Sequence, residues 1–196
     1  MSYSWKGRLS IIGQDIQKAA AALQLCAGQS SGIEAAIHAI SDFFARDDTD
    51  AVLLVDADNA FNRLNRKAAL HNIGVLCPAL STILKNTYSM PAQLFVGGEV
   101  ILSEEGTTQG DPLAMPIYAI GVVPLIRELS LLHATQVWFA DDATGTGKLT
   151  RLKDWWDLLN EKGPDYGYFP KAVKTCLLVK ASLLEEATKV FGDSGM

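Results

Sequence analysis

VWFADDATGTG, residues 137–147, delivers two adjacent aspartates at the end of an apolar run. Neighbouring like charges repel, and burying either without a partner is costly. Taken alone, the pair reads as a solvated hairpin turn. A second segment changes that reading. In VLLVDADNAF, residues 52–61, Asp56 closes a β-branched apolar run and Asp58 follows two residues later, on the same side if the strand continues. Two strand ends, 85 residues apart in sequence, thus each present carboxylate where a strand meets a loop. On neighbouring strands these acids would converge on one small volume. Such a cluster is unfavourable when empty and favourable around divalent cations, because Mg²⁺ takes oxygen ligands from one or two carboxylates and from substrate phosphates. Two such ions about 4 Å apart can clamp the attacking and leaving oxygens of a phosphoryl transfer.

Composition fits a globular chain. Of 196 residues, 48% are apolar and 20% charged, and a chain of this size buries roughly 70% of its unfolded surface without needing cross-links. Cys26, Cys77 and Cys176 are far apart, odd in number and lack any C-x-x-C spacing, which argues against a disulfide framework or zinc knuckle and fits a reducing compartment. The longest apolar run, Ala114–Ile126, is 13 residues with two prolines, against about 20 for a membrane span. The opening MSYSWKGRLS has no signal-peptide core. The expectation is a soluble intracellular protein with no membrane partner. The net charge of −5 is awkward for a nucleic-acid binder, yet residues 145–182 carry +3 and the rest −8.

Helices are expected over Leu9–Leu25, from a Ser31/Glu34 capping box to about Ala45, over Arg66–Ile73, from Pro78 to Tyr88, over Leu113–Leu132 behind an Asp111 cap, and over Arg151–Glu161. Strands are expected at Ala51–Asp56, Thr135–Ala140 and Thr175–Lys180, with a hairpin around Gly97-Gly98. The interleaving predicts an α+β fold.

The residues now carry a resemblance. DADNAF (56–61), SEEGTTQGDPLAMPIYAI (103–120), FADD (139–142) and GYFPKAVKT (167–175) resemble, in order, four blocks of the palm of reverse transcriptases, similar to those of non-LTR retrotransposons. The match runs from about Gln24 to Lys180. The resemblance implies a polymerase palm with a split β-α-β, ferredoxin-like antiparallel sheet and helices on one face. It divides the chain into a helical finger and palm-connecting segment (1–46), the palm (47–182) and a truncated tail (183–196), together one compact domain. It implies RNA-directed DNA polymerase chemistry, with two Mg²⁺ ions (Mn²⁺ as a substitute), an RNA template, a DNA primer and deoxynucleoside triphosphates as partners.

Roles follow residue by residue. Asp56 and Asp141 would hold both metals, Asp142 would support them, and the Ala57 carbonyl could complete a site. Phe61 would act as a steric gate against a 2′-hydroxyl, Gln109 and Gly110 would touch the nucleotide or template, and Lys174 would sit by the leaving pyrophosphate. Asp111 reads as a helix cap only. The chain departs from the family pattern at Lys171, where an asparagine is usual. Set against the family pattern, the basic finger strands, the primer-grip hairpin and the thumb are expected to be missing from this stretch. Two alternatives therefore stand beside an active polymerase: an inactive palm relic that serves as a binding module, and an RNA-dependent RNA polymerase, against which Phe61 argues.

Other motifs fail. Gly28-Gln29-Ser30-Ser31-Gly32 spells a nucleophile elbow but has no preceding strand and no histidine after His133. Gly145–Leu149 lacks the hydroxyl residue and the spacing of a phosphate loop, and His38, His71 and His133 have no metal-ligand spacing.

Overall fold

The structure is a computed structural model; it describes residues 5–20, 23–27, 30–108 and 110–196, with side chains from residue 12 onward. Gly28, Gln29 and Gln109 lie outside the described residues. In chain order the helices are α1 (Trp5–Ala20), α2 (Gly32–Phe44), α3 (Ala60–Arg63), α4 (Arg66–Leu76), α5 (Pro78–Tyr88), α6 (Ala114–Gly121), α7 (Val123–Leu129), α8 (Leu149–Lys162) and α9 (Leu184–Phe191). The strands are β1 (Ala51–Val55), β2 (Ala92–Val96), β3 (Glu99–Ser103), β4 (Thr135–Phe139), β5 (Asp142–Gly147) and β6 (Cys176–Val179).

Four strands form an antiparallel sheet in the order β4-β5-β1-β6. With α4–α7 between β1 and β4, and α8 between β5 and β6, this is the expected split β-α-β arrangement. β1 sits in the middle, and its AVLLV run is covered on both faces, which is why it reads as continuously apolar rather than alternating. Its residues Ala51, Leu53 and Val55 face the main core, where α8 lies on β5 and β1 and α7 packs on α8. Next to these, α6 packs on α4, α4 on α5, and α1 closes over α5 and α6. The opposite face, with Val137, Phe139 and Thr144, receives the apolar side of α2.

The core is aromatic at its centre. Trp138 lies 6.4 Å from Trp155 and 5.3 Å edge-on from Tyr168. Both indole N–H groups donate to Gln136 Oε1, at 2.9 and 3.1 Å, so two buried polar groups share one acceptor. The Trp155 ring lies against Gly145, where a Cβ would come within 3.2 Å of it; the glycine lets helix and strand approach.

The expected helix over Leu113–Leu132 is split. Pro124 cannot donate a backbone bond, and the chain breaks at Val122, where Asn72 Nδ2 donates to the Gly121 carbonyl at 2.8 Å. By length and composition Ala114–Leu132 is the one described helical stretch apolar enough to cross a membrane; here its Tyr118–Ile120, Val122, Val123, Leu125, Ile126 and Leu129 are fully buried in the core. The Ser31/Glu34 capping box does not form. Ser31 takes a left-handed conformation (φ 54°), outside the extended geometry of a capping residue, and its side chain makes no cap bond. The first helix is described as far as Ala20, short of the expected Leu25, whose N–H instead bonds the Trp138 carbonyl at 2.9 Å from a turn.

The β2–β3 hairpin forms around Gly97-Gly98 and is exposed along nearly its whole length. Gly167, in the fourth sequence block, has φ +77°, and a Cβ there would lie 2.0 Å from the Arg63 carbonyl oxygen and 2.3 Å from Asn65 N. Gly167→Ala should lose about 2–4 kcal/mol in urea unfolding, from a disfavoured backbone conformation plus a clash with main chain. Gly13→Ala, in α1 with open space at its Cβ, should be neutral or gain up to about 1 kcal/mol.

Candidate active site

Asp56 is the first residue past β1, and the chain there is clamped by the fourth block. Lys171 N–H donates to the Asp56 carbonyl at 2.9 Å, Asp58 N–H donates to the Phe169 carbonyl at 2.8 Å, and Ala57 bridges Pro170 between them. The turn into α3 follows at Asn59, and Phe61 is half-buried with its ring stacked on Tyr118 at 4.6 Å. The second block is tied to the same turn. Thr107 N–H donates to the Phe61 carbonyl at 2.8 Å and Gly106 N–H to that of Leu64 at 2.9 Å. Buried Arg66 spreads its guanidinium over the carbonyls of Ser103, Glu105 and Gly106, which fixes the loop as it leaves β3.

Tyr88 completes that loop. Its hydroxyl donates to the Asp111 carboxylate and accepts from Thr108 N–H at 3.2 Å. Asp111 in turn accepts from Leu113 N–H at 2.8 Å, so it restrains the start of α6 as expected of a cap. Gly110 takes φ +87°, and a Cβ built there meets nothing within 4 Å. The backbone at Gly110 is therefore bare toward open space.

The β4–β5 hairpin turns on Ala140 and Asp141, with Phe139 paired to Asp142. Ala140 has φ +53°, left-handed without being glycine. Gln24, fully buried, brackets it: Ala140 N–H donates to Gln24 Oε1 at 2.8 Å, and Gln24 Nε2 donates to the Ala140 carbonyl at 2.9 Å. Tyr168 Oη–H donates to the Asp141 carbonyl at 2.9 Å.

These segments enclose an open cavity of about 590 Å³, whose lining includes Asp56, Ala57, Phe61, Gly110, Asp111, Asp141 and Lys174. Six of the eight candidate residues thus meet at one site. Asp142 lines a separate recess of about 230 Å³ on the other face of the sheet, with Ile33, Ile37 and Phe139 among its neighbours. Asp58 is absent from the cavity lining. β1 ends at Val55, and Asp58 pairs with Arg63 at 2.7 Å and Lys171 at 3.1 Å.

The charges are uneven. Lys171, then Arg63, hold the Asp58 carboxyl below the usual range, and the Arg63 guanidinium stacks 3.7 Å over Phe169. Lys174 Nζ reaches Asp56 at 3.4 Å. Among the described residues no cation pairs with Asp141 or Asp142. Burial raises both of their carboxyls, with the Asp56 charge adding to Asp141, and those of Asp141 and Asp56 adding to Asp142.

No group of three or more His, Cys, Asp or Glu side chains gathers as a metal cage among the described residues. Three carboxylates line the cavity; Asp111 is engaged by Tyr88 and Leu113 N–H, which leaves those of Asp56 and Asp141. That fits Mg²⁺, which binds through one or two carboxylates and completes its shell with water and phosphate.

Arg66, Tyr88, Tyr168 and Gln24 were not among the candidates read from sequence. Each acts by bonding backbone far away in the chain, and no local pattern announces that. Gln24 does mark the point at which the resemblance begins.

No family model and no curated protein sequence matches the chain. Solved structures do match its fold. Apo telomerase from Candida tropicalis superposes with a TM-score of 0.69 at 13% identity, over 92% of this chain and 37% of that one. Telomerase from Candida albicans in complex with a fragment of telomeric RNA gives 0.69 at 14%, over 89% and 35%. The Candida tropicalis enzyme with the corresponding RNA fragment gives 0.71 at 13%, over 92% and 34%. The chain spans about a third of the length of these neighbours and has a reverse-transcriptase-like fold.

The raised Asp141 carboxyl gives a signed prediction. Its charged form is disfavoured in the fold, so it costs stability above the folded titration point. The cost vanishes below the ordinary value of 3.8, where folded and unfolded chains are both protonated. In the absence of divalent ions Asp141→Asn should raise Tm by about 1–3 °C at pH 7, the side chain being half in solvent, and by nothing near pH 3. Differential scanning calorimetry at the two pH values checks this.

Proposed function

We propose that this chain is the palm of an RNA-directed DNA polymerase of the non-LTR retrotransposon kind, adding deoxynucleotides to a primer 3′-hydroxyl. The observation that carries the reading is the meeting of Asp56, Ala57, Phe61, Gly110, Asp141 and Lys174 around one cavity. They come from four stretches of chain that share nothing but that place and the sequence blocks of one enzyme family.

Asp56 and Asp141, with the Ala57 carbonyl, would hold two Mg²⁺ ions (or Mn²⁺). The metals supply charge neutralisation at the α-phosphate and activation of the primer hydroxyl. The side chains do the rest. Phe61, its ring fixed by the stack on Tyr118, occupies the space a ribose 2′-hydroxyl would need. Gly110 offers bare backbone to the nucleotide or template, the role the sequence blocks also give to Gln109, which lies outside the described residues. Lys174 offers its ammonium to the leaving pyrophosphate, neutralising charge and donating a proton. Its pair with Asp56 is more than two-fifths exposed on both sides, so exchanging that carboxylate for phosphate costs little. Asp142 supports from the other face of the sheet, its charge adding to the field at the turn.

RNA as a template is in keeping with the telomerase neighbours that were solved with an RNA fragment. The partners on this reading are an RNA template, a DNA primer and deoxynucleoside triphosphates.

The test is extension of a DNA primer on an RNA template with Mg²⁺, run with this chain alone and with its natural flanking sequence. Asp141→Asn should lower extension at least about 10³-fold, since an amide cannot supply the charge the metals require. Undiminished extension by that variant would falsify the metal role. Phe61→Ala should lose at least about tenfold of the preference for deoxynucleotides over ribonucleotides, read by competition in the same assay. An unchanged ratio removes Phe61 as the gate.

A further inference from the structure

We propose that Gln24 is the positioning residue for Asp141, setting the direction of its carboxylate through the backbone of Ala140; the proposal rests on the reading of the cavity given above. The turn that carries Asp141 is only two residues long, and one of them, Ala140, is held at φ +53° without being glycine. An L-residue leaves that conformation unless its surroundings hold it there. Gln24 does so with both ends of its amide, one on the N–H and one on the carbonyl of the same residue.

The amide has one sense only. Cys26 Sγ–H also donates to Gln24 Oε1, at 3.2 Å, so the oxygen faces two donors while the nitrogen faces a carbonyl. Burial pushes the Cys26 thiol up to about 11, which keeps it a donor at neutral pH. Reversing the amide would set donors against donors. The clamp itself is anchored next door, because Leu25 N–H bonds the Trp138 carbonyl. Gln24 is fully buried and meets neither the cavity nor solvent, so its action on the site passes through Ala140. Tyr168 fixes the far side of the same turn at the Asp141 carbonyl. Between them the two side chains hold the peptide groups on either side of the Asp141 Cα.

Gln24→Met keeps the volume and removes every hydrogen bond. Gln24→Glu keeps the shape and the acceptor but loses the donor to the Ala140 carbonyl. Both variants of the full chain would be examined by amide hydrogen exchange and by Mn²⁺ binding followed by electron paramagnetic resonance, beside urea unfolding. For each variant the Ala140 amide should lose protection at least about tenfold relative to wild type in Gln24→Met and less in Gln24→Glu, while β1 amides keep theirs. Mn²⁺ affinity should fall at least about fivefold in Gln24→Met. Protection lost with Mn²⁺ affinity unchanged, or protection retained, overturns the positioning role. Wild-type protein that binds no Mn²⁺ instead overturns the reading of the cavity, and Ala140 exchange then decides by itself whether Gln24 holds the turn. Should Gln24→Met fail to fold, Gln24→Leu, which likewise removes every hydrogen bond, carries the same two readouts.

Discussion

The pairing of β1 along both of its edges is the constraint from which the rest follows. β5 and β6 flank it with Leu53 opposite Gly145 on one side and Leu177 on the other. That pairing fixes where the strand stops, and Asp56 is the residue at which it stops. Beyond it, the bridge between Ala57 and Pro170 continues the same alignment into the loops. Main-chain bonds from the second and fourth blocks then converge on residues 56–64. Position in this site starts from backbone register, and the side chains of Arg66, Tyr88, Gln24 and Tyr168 fasten the loops to it.

Charge is distributed with equal order. Asp58 is neutralised by two cations, Asp56 by one and Asp141 by none among the described residues. The departure from the family pattern at Lys171 has a local account: its ammonium pairs with Asp58, while its backbone N–H holds the Asp56 carbonyl. The lysine thus serves the loop through both main chain and side chain. Compensation falls off toward the cavity and leaves the unpaired negative charge at Asp141.

Much of this was legible in the sequence. β1, α5, the Gly97-Gly98 hairpin and the two strand-end acids announce themselves through β-branched runs, a proline at a helix start and paired glycines. Other parts hide for physical reasons. β5 spells DATGTG, poor in strand formers, because Trp155 leaves no room over Gly145. α9 lies in the expected tail, 183–196, and Ala187 and Phe191 bury its face in the core. The side chains of Asp141 and Asp142, adjacent in sequence, open on different recesses because a hairpin turn separates them, and adjacency gives no hint of that. Gln24 and Arg66 act on carbonyls between 37 and 116 residues away, a relation that no local period encodes.

The uncompensated carboxylate at Asp141 has an evolutionary corollary. Burial and the nearby Asp56 charge disfavour its ionised form, so the position carries a standing cost at neutral pH. Selection for sturdiness alone would work against an aspartate at that turn.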